Sequence, residues 1–174
     1  MTTSFLASAV QQFESSKSLG NRSFEQLNEE AFHWQYNEES NSIAIIIQHL
    51  NGNMLSRWTD FLTTDGEKES RQRDAEFEVT KLCKDELIKR WNEGWDCLLN
   101  TLKSLTDEDL AKTIYIRSEA HSVLEAIHRQ LTHYPYHVGQ IILIAKMMKG
   151  DDWQSLSIPK NTSKSYNDEK FSRK

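Results

Sequence analysis

The sequence predicts an all-α protein, a four-helix bundle with a short β-ribbon before its last long helix. Helix-breaking residues are scarce, since only 6 glycines and 2 prolines occur in 174 residues. Several long segments repeat apolar residues at helical spacing. Hydrophobic residues make up 37% of the chain, which is sufficient for a single core. Four long amphipathic helices in one small domain favour a bundle.

Two helical segments are predicted near the N-terminus. The first covers residues 4–18, where Phe5 and Phe13 belong to an apolar face. Gly20 and Asn21 provide its end signal, because both residues are common just after a helix. A second, short helical segment is predicted over residues 24–30.

The next helix carries the clearest apolar stripe. Asn41 or Ser42 is its predicted N-cap, and the loop beginning near Thr63 ends it. Apolar residues lie three or four positions apart over its length, which is typical of a helix that faces a core. These residues are Ile43, Ile46, Ile47, Leu50, Met54, Trp58 and Phe61.

A third long helix is predicted over residues 80–104, after a charged connection over residues 67–78. The segment Thr106-Asp-Glu-Asp109 breaks it. Residues 113–117 read Thr-Ile-Tyr-Ile-Arg, a segment that is β-prone but short. We therefore predict a small ribbon or an extended link before the last long helix.

The last long helix is bounded by two clear signals. Ser122 and Glu125 have the spacing of a capping box at its start, and Gly150 supplies its stop. Pro135 lies inside this helix and removes one backbone donor, so we predict a kink there.

Charge and cysteine content narrow the class of protein. Lys and Arg number 21 and Asp and Glu 26, a net charge of −5, which argues against nucleic-acid binding. Cys83 and Cys97 lie about 21 Å apart along one predicted helix, too far for a disulfide, and fit a reducing compartment. With no signal peptide or membrane span in the sequence, we expect a cytoplasmic protein without a membrane partner. Its bundle domain is expected over residues 1–150, and an extended, partly docked tail over residues 151–174.

Six histidines occur, and two of them form a pair. His133 and His137 are one helical turn apart, so both imidazoles project from one face and suit a single metal ion. The spacer Tyr-Pro-Tyr has no Glu after His133, which excludes the metalloprotease form of the motif. The alternative is a pair of half-exposed surface histidines. We expect no metal role for His33, His121 and His128.

His49 borders the apolar stripe of an earlier helix and is expected to face the core. A buried neutral histidine needs a partner, because an unpaired polar group in a core is costly. One interpretation is a hydrogen bond to a backbone carbonyl or a tyrosine. The other is that His49 joins His133 and His137. Three nitrogen ligands with an open fourth position are typical of catalytic metal sites.

A di-iron carboxylate site is a rival interpretation. Two Glu-x-x-His segments match part of the pattern of such sites. Two observations count against this interpretation. The segment Glu30–His33 lies where helical periodicity fades, and Glu125 of the other segment is already assigned to the capping box. These segments are Glu30–His33 and Glu125–His128, with Glu86 and Glu93 as further carboxylates.

The residues around the three histidines resemble the DinB-like superfamily of metal-binding four-helix proteins, and one bacterial branch of it. The resemblance rests on His49-Leu-Asn-Gly-Asn53 and His133-Tyr-Pro-Tyr-His137-Val-Gly-Gln140, and it extends over residues 1–160. It implies that His49, His133 and His137 bind one divalent metal ion, zinc or nickel foremost, with iron or manganese as alternatives. It also implies a homodimer. Some relatives are transferases or isomerases that use low-molecular-weight thiols such as bacillithiol or mycothiol.

These observations lead us to expect a divalent-metal-dependent enzyme, either a low-molecular-weight-thiol S-transferase or a hydrolase. Asn53, Arg57, Tyr136 and Gln140 are predicted to line its pocket, with Arg57 as an anchor for an anion. Surface hydrogen bonds, solvation and packing are the alternative roles of these four side chains. A second hypothesis is a non-catalytic, metal-binding dimer that acts in regulation or protein interaction. A third is a structural bundle in which the histidines only fill the core.

Overall fold

The chain is mostly helical, with 66% of it in helices. The structure, a computed structural model, describes residues 4–172. Strands β1 (Thr113–Ile116) and β2 (Glu119–Ser122) form an antiparallel hairpin. This confirms the predicted helical class and the predicted ribbon. The helices are α1 (Phe5–Phe24), α2 (Glu29–His33), α3 (Ile43–Trp58), α4 (Lys84–Ser104), α5 (Val123–Lys149) and α6 (Ser163–Ser172).

The four long helices, α1, α3, α4 and α5, pack mainly in two pairs. α3 lies against α4, and α1 lies against α5, while smaller contacts join α1 to α4 and α3 to α5. Trp58, Trp91, Trp95 and Tyr134 are fully buried between them. Such aromatic side chains contribute most to core stability, because burial stabilises by about 25 cal/mol per Å² of apolar surface. Across residues 4–172, no helix carries an apolar stretch that could span a bilayer.

Several predicted helix ends are confirmed by their capping contacts. Ser42 Oγ accepts a hydrogen bond from the Ile45 N–H at 3.2 Å at the start of α3. At the start of α5, the N–H of Ser122 donates to the Glu125 carboxylate at 2.7 Å, and Ser122 Oγ accepts from the Glu125 N–H at 3.2 Å. Gly150 ends α5 with φ +54°, a conformation that favours glycine.

The predicted end of the first helix is wrong, because α1 continues to Phe24. Gly20 lies inside α1, and a Cβ at this position would collide with the indole of Trp91. Asn21 is also inside the helix, and its Oδ1 accepts a hydrogen bond from Trp91 Nε1 at 2.8 Å. Both residues therefore serve the contact between α1 and α4.

Other boundaries shift for local reasons. α2 begins later than the short helical segment predicted near it, because Asn28 Oδ1 accepts a hydrogen bond from the Ala31 N–H at 3.2 Å. α4 also begins later than predicted, where the Cys83 N–H donates to the Glu86 carboxylate at 2.8 Å. α3 ends at Trp58, before the predicted end of the stripe.

The segment after α5 returns to α1. Arg22 Nη1 donates a hydrogen bond to the carbonyl of Leu156 at 2.8 Å, and Trp153 packs against the core. The structure differs from the expected extended tail at Ser163–Ser172, which form α6. This helix is exposed and has no apolar stripe, so periodicity did not indicate it. Residues 173–174 lie outside the described residues, and the division into a domain and a tail stays a prediction.

Candidate metal centre

Three imidazoles meet between α3 and α5. His133 Nε2 lies 3.3 Å from His49 Nε2 and 3.1 Å from His137 Nε2. His49 and His137 are buried and His133 is partly buried. Among residues 4–172, this is the one group of three histidine, cysteine or carboxylate side chains whose ligand atoms lie close enough to share an ion, within 4.8 Å of one another. The structure therefore brings together the three ligands predicted from the sequence.

Each imidazole is held at its other ring nitrogen by an oxygen atom. The pairs are His49 Nδ1 with Glu76 Oε2 (2.9 Å), His133 Nδ1 with Gln130 Oε1 (3.0 Å) and His137 Nδ1 with Gln140 Oε1 (3.1 Å). Because these oxygens accept, the Nδ1 atoms carry the protons of the neutral rings. The lone pairs of the three Nε2 atoms then face one another, and a divalent cation between them fits this donor set.

The protonation state of the site also fits a metal ion. Burial, the neighbouring histidines and the charges of Arg57 and Arg129 lower the pKa of His133 to about 3. Burial and His49 lower the pKa of His137 to about 4, although its hydrogen bond with Gln140 acts in the opposite direction. Both rings are therefore neutral near pH 7, the form in which imidazole binds a metal.

The site includes a carboxylate that the sequence did not reveal. Glu76 lies in a short 3₁₀ helix, Asp74–Phe77, within the segment predicted only as a charged connection. Arg71 donates to it twice, from Nε to Oε1 at 2.7 Å and from Nη2 to Oε2 at 2.8 Å. Burial alone would raise the pKa of Glu76, but the hydrogen bonds from Arg71 and His49 outweigh burial and lower it. Glu76 is thus an ionised partner that fixes the tautomer of His49.

The 3₁₀ helix that carries Glu76 packs closely on α3. A Cβ at Gly52 would collide with the Glu76 carboxylate, so the glycine makes this approach possible. The ring of Phe77 lies 4.8 Å from the His49 ring between centroids. His49 is therefore fixed from two sides by one segment.

A buried hydrogen-bond chain lies beside the three histidines. Trp58 Nε1 donates to the Tyr134 hydroxyl at 2.9 Å, and this hydroxyl donates to Asn53 Oδ1 at 2.9 Å. Asn53 is one turn after His49 on α3. Its side-chain oxygen Oδ1 is thus held in the core by Tyr134.

A cleft of about 610 Å³ opens in front of the three histidines, a size suited to a small molecule. Of the predicted pocket residues, Asn53, Arg57 and Tyr136 line it. Tyr136 is 62% exposed, and its ring lies 5.0 Å from that of His137. Gln140 instead holds His137 and lines a neighbouring groove.

The proline of α5 lies between two of the ligands. α5 is helical from Val123 to Lys149 and contains Pro135 between His133 and His137. Because proline has no N–H, it cannot donate to the carbonyl one turn earlier. The kink expected from this stays a prediction.

The other histidines and both cysteines lie elsewhere. His128 packs edge-on against Phe5 at 5.0 Å, and Glu125 caps α5, so the di-iron interpretation gains no support. Cys83 is exposed and Cys97 is partly buried, and neither lines the cleft.

The fold and the site define a mostly helical protein with three histidines positioned to hold a divalent metal ion. Residues 1–162 match a family described as "Protein of unknown function (DUF1572)", and the chain belongs to this family. No curated protein matches the chain. The extent of the family match agrees with the range over which the sequence resemblance was drawn.

Proposed function

We propose that the protein is a divalent-metal-dependent enzyme with the four-helix bundle of the DinB-like superfamily. The observation that carries this proposal is the convergence of three Nε2 lone pairs, on His49, His133 and His137, at one point beside a cleft. Three imidazole ligands leave a further coordination position for another ligand, as in catalytic metal sites. Zinc or nickel suits this nitrogen set best, with iron and manganese as alternatives.

The chain's own residues prepare the site for such an ion. Glu76, Gln130 and Gln140 accept from the Nδ1 atoms and thereby aim the three Nε2 lone pairs. Arg71 keeps Glu76 ionised. When bound, the ion acts as a Lewis acid that lowers the pKa of a coordinated thiol or water.

The proposed reaction is S-transfer with a low-molecular-weight thiol, and hydrolysis is the second choice. The thiol sulfur forms a bond to an electrophilic carbon, the leaving group departs with its bonding pair, and the thiol proton passes to solvent. The thiol comes from outside the chain, because neither Cys83 nor Cys97 lines the cleft. The two free cysteines are compatible with a reducing, cytoplasmic compartment.

The alternative function is a non-catalytic, metal-binding dimer in regulation or protein interaction. Exposed apolar side chains on α5 favour a dimer in either case. Leu143 is 59% exposed and Met147 52%, and both line a groove with Tyr36 and Tyr136. Neighbouring apolar side chains of this kind commonly mark a contact surface. Light scattering after size exclusion measures the oligomeric state directly.

The metal is tested by elemental analysis of protein purified without an affinity tag. We expect about one zinc or nickel per chain and its loss in His137→Ala, because one of three ligands is removed. His128→Ala is the matched control and keeps the metal, since His128 lies against Phe5. Retention of one metal per chain in His137→Ala would contradict the three-histidine site.

Turnover separates the enzyme from the alternative. A thermal-shift screen with low-molecular-weight thiols identifies those that bind the native state, since such ligands raise the unfolding midpoint. Thiols that bind are then assayed with electrophilic acceptors. We expect activity that chelation and His137→Ala abolish. A stable dimer with no turnover, in which metal is dispensable, would instead favour the non-catalytic role.

A further inference from the structure

Positive charge is concentrated around the cleft, although the chain has a net charge of −5. Arginine side chains come to it from α3, from α5, from the hairpin turn and from the segment between α3 and α4. The lining of the cleft therefore carries positive charge although the chain as a whole is acidic. The arginines are Arg57, Arg71, Arg73, Arg117 and Arg129.

Three of these arginines are paired with carboxylates. Arg71 is held by Glu76 and Glu67, while Arg117 and Arg73 make longer contacts. Within residues 4–172, no carboxylate lies at ion-pair distance from Arg57 or Arg129. The pairs are Arg71–Glu76 (2.7 Å), Arg71–Glu67 (3.0 Å), Arg117–Glu67 (3.4 Å) and Arg73–Asp74 (3.8 Å).

Arg57 is the buried member of the group, with only 3% of its surface exposed. Its Nε donates to the carbonyl of Gly66 at 3.2 Å, but its Nη1 is buried without a hydrogen-bond partner in the described part of the chain. Burial lowers the pKa of Arg57, and the charges of Arg129 and Arg71 act in the same direction. A buried guanidinium with a free donor is costly, and an anion in the cleft would relieve that cost.

The spacing of residues divides the cleft into two ends. His49, Asn53 and Arg57 recur every four residues on α3, and Arg129, His133 and His137 do so on α5. Because His49 meets His133, and the charge of Arg129 acts on Arg57, the two rows run in opposite directions. At a rise of about 1.5 Å per residue, Arg129 lies about 6 Å from His133 along α5. By the same measure, Arg57 lies about 12 Å from His49 along α3.

Arg117 is held at the rim by a strained turn. Arg117 and Ser118 have φ of 57° and 62°, a left-handed conformation that is unfavourable for non-glycine residues. Both N–H groups donate to the Asp65 carboxylate at 2.8 Å, which stabilises the turn. The turn thus fixes the backbone position of Arg117 beside the cleft.

We propose that Arg57, Arg117 and Arg129 bind a carboxylate or phosphate group of a small anionic substrate, whose reacting group extends to the three histidines. That the ligand is a substrate rests on the proposed function. The binding of the anion does not, because the arginines hold their positive charge without a metal.

The test uses chelator-treated full-length protein and isothermal titration with inorganic phosphate and, separately, succinate at low ionic strength. We expect saturable one-to-one binding with at least one probe, weakened about tenfold in Arg129→Gln because a charge-assisted contact is lost. Arg129 is exposed, so this variant keeps the fold; Arg57→Gln is the second variant and is expected to lose binding as well. Arg90→Gln is the matched control, since Arg90 is exposed on α4 outside this cleft.

Three outcomes would overturn the proposal: no saturable binding of either probe, unchanged binding in Arg129→Gln, or an equal loss in Arg90→Gln. Preference for phosphate or succinate identifies which anionic group the site accepts. Metal uptake is measured on portions of the same preparations after zinc or nickel is added back. Anion binding by protein that takes up no metal would support the arginine site and contradict the metal proposal. Metal uptake without anion binding would support the metal proposal and contradict the arginine site.

Discussion

Glu76 Oε2 accepts a hydrogen bond from Nδ1 of His49 at 2.9 Å, across 27 residues of chain. Arg71 binds both oxygens of the same carboxylate, so a charged chain leads from the segment between α3 and α4 to the histidines. The orientation of His49 therefore depends on a segment that contributes no predicted ligand of its own.

Substitution of Glu76 by Gln is expected to weaken metal binding about 10- to 100-fold, because His49 loses the charged acceptor behind it. Competition with a chelator of known affinity measures the change. Glu78→Gln is the control, since Glu78 is exposed two residues later. Equal affinities in Glu76→Gln and wild type would show that the carboxylate does not tune the site.

The stability of the metal-free protein is expected to fall with acidification. His133 and His137, with pKa values of about 3 and about 4, stay neutral in the folded state, while both rings gain protons in the unfolded chain below pH of about 6.5. Stability is therefore present above that pH and is lost below it, by about 2 kcal/mol for each ring between pH 7 and 5.

Urea unfolding at pH 7 and pH 5 tests this pH dependence. The double variant His133→Gln and His137→Gln should lose less stability than wild type over the same interval, since it lacks both titrating rings. Identical losses in the two proteins would assign the acid sensitivity to other groups.

Tyr134→Phe is expected to destabilise the fold by about 1–3 kcal/mol, because it leaves Trp58 Nε1 without an acceptor and Asn53 Oδ1 without a donor in the core. The free energy of unfolding measures the effect. Tyr115→Phe serves for comparison, as Tyr115 is 52% exposed on β1, and it should change stability little. A neutral Tyr134→Phe would mean that the chain of hydrogen bonds adds no stability.

Gly20→Ala is expected to cost about 1–3 kcal/mol, since the added methyl group overlaps the Trp91 indole on α4. Gly139→Ala should instead raise the free energy of unfolding, by about 0.5–1 kcal/mol. That position is helical and has no atom within 4 Å of an added Cβ. Denaturant midpoints of both variants give the comparison. If Gly20→Ala leaves the free energy of unfolding unchanged, α1 and α4 must lie further apart than in this structure.

Local patterns account for what could be predicted. The cap at Ser42, the capping box at Ser122 and the spacing of His133 and His137 each involve residues within one turn of helix. The interior position of His49 followed from the apolar stripe beside it. These are short-range features, and the structure agrees with them.

Long-range contacts account for what could not be predicted. Gly20 looks like a helix end unless Trp91, on another helix, is known to lie against it. Glu76 lies in a segment without periodicity, and its two roles depend on Arg71 and His49 being brought to it by the fold. The arginine end of the cleft is likewise assembled from distant segments, of which only Arg57 was expected from the sequence.

The division of the three histidines between α3 and α5 makes their meeting depend on the tertiary fold. His49 and His133 are 84 residues apart, so closing this loop costs entropy that local helix formation does not. During synthesis, a ribosome-bound chain that has not yet made α5 holds one imidazole of the three. The three imidazoles can therefore meet only once α5 has been made and packed on α3, so uptake of the proposed metal ion would report on folded molecules.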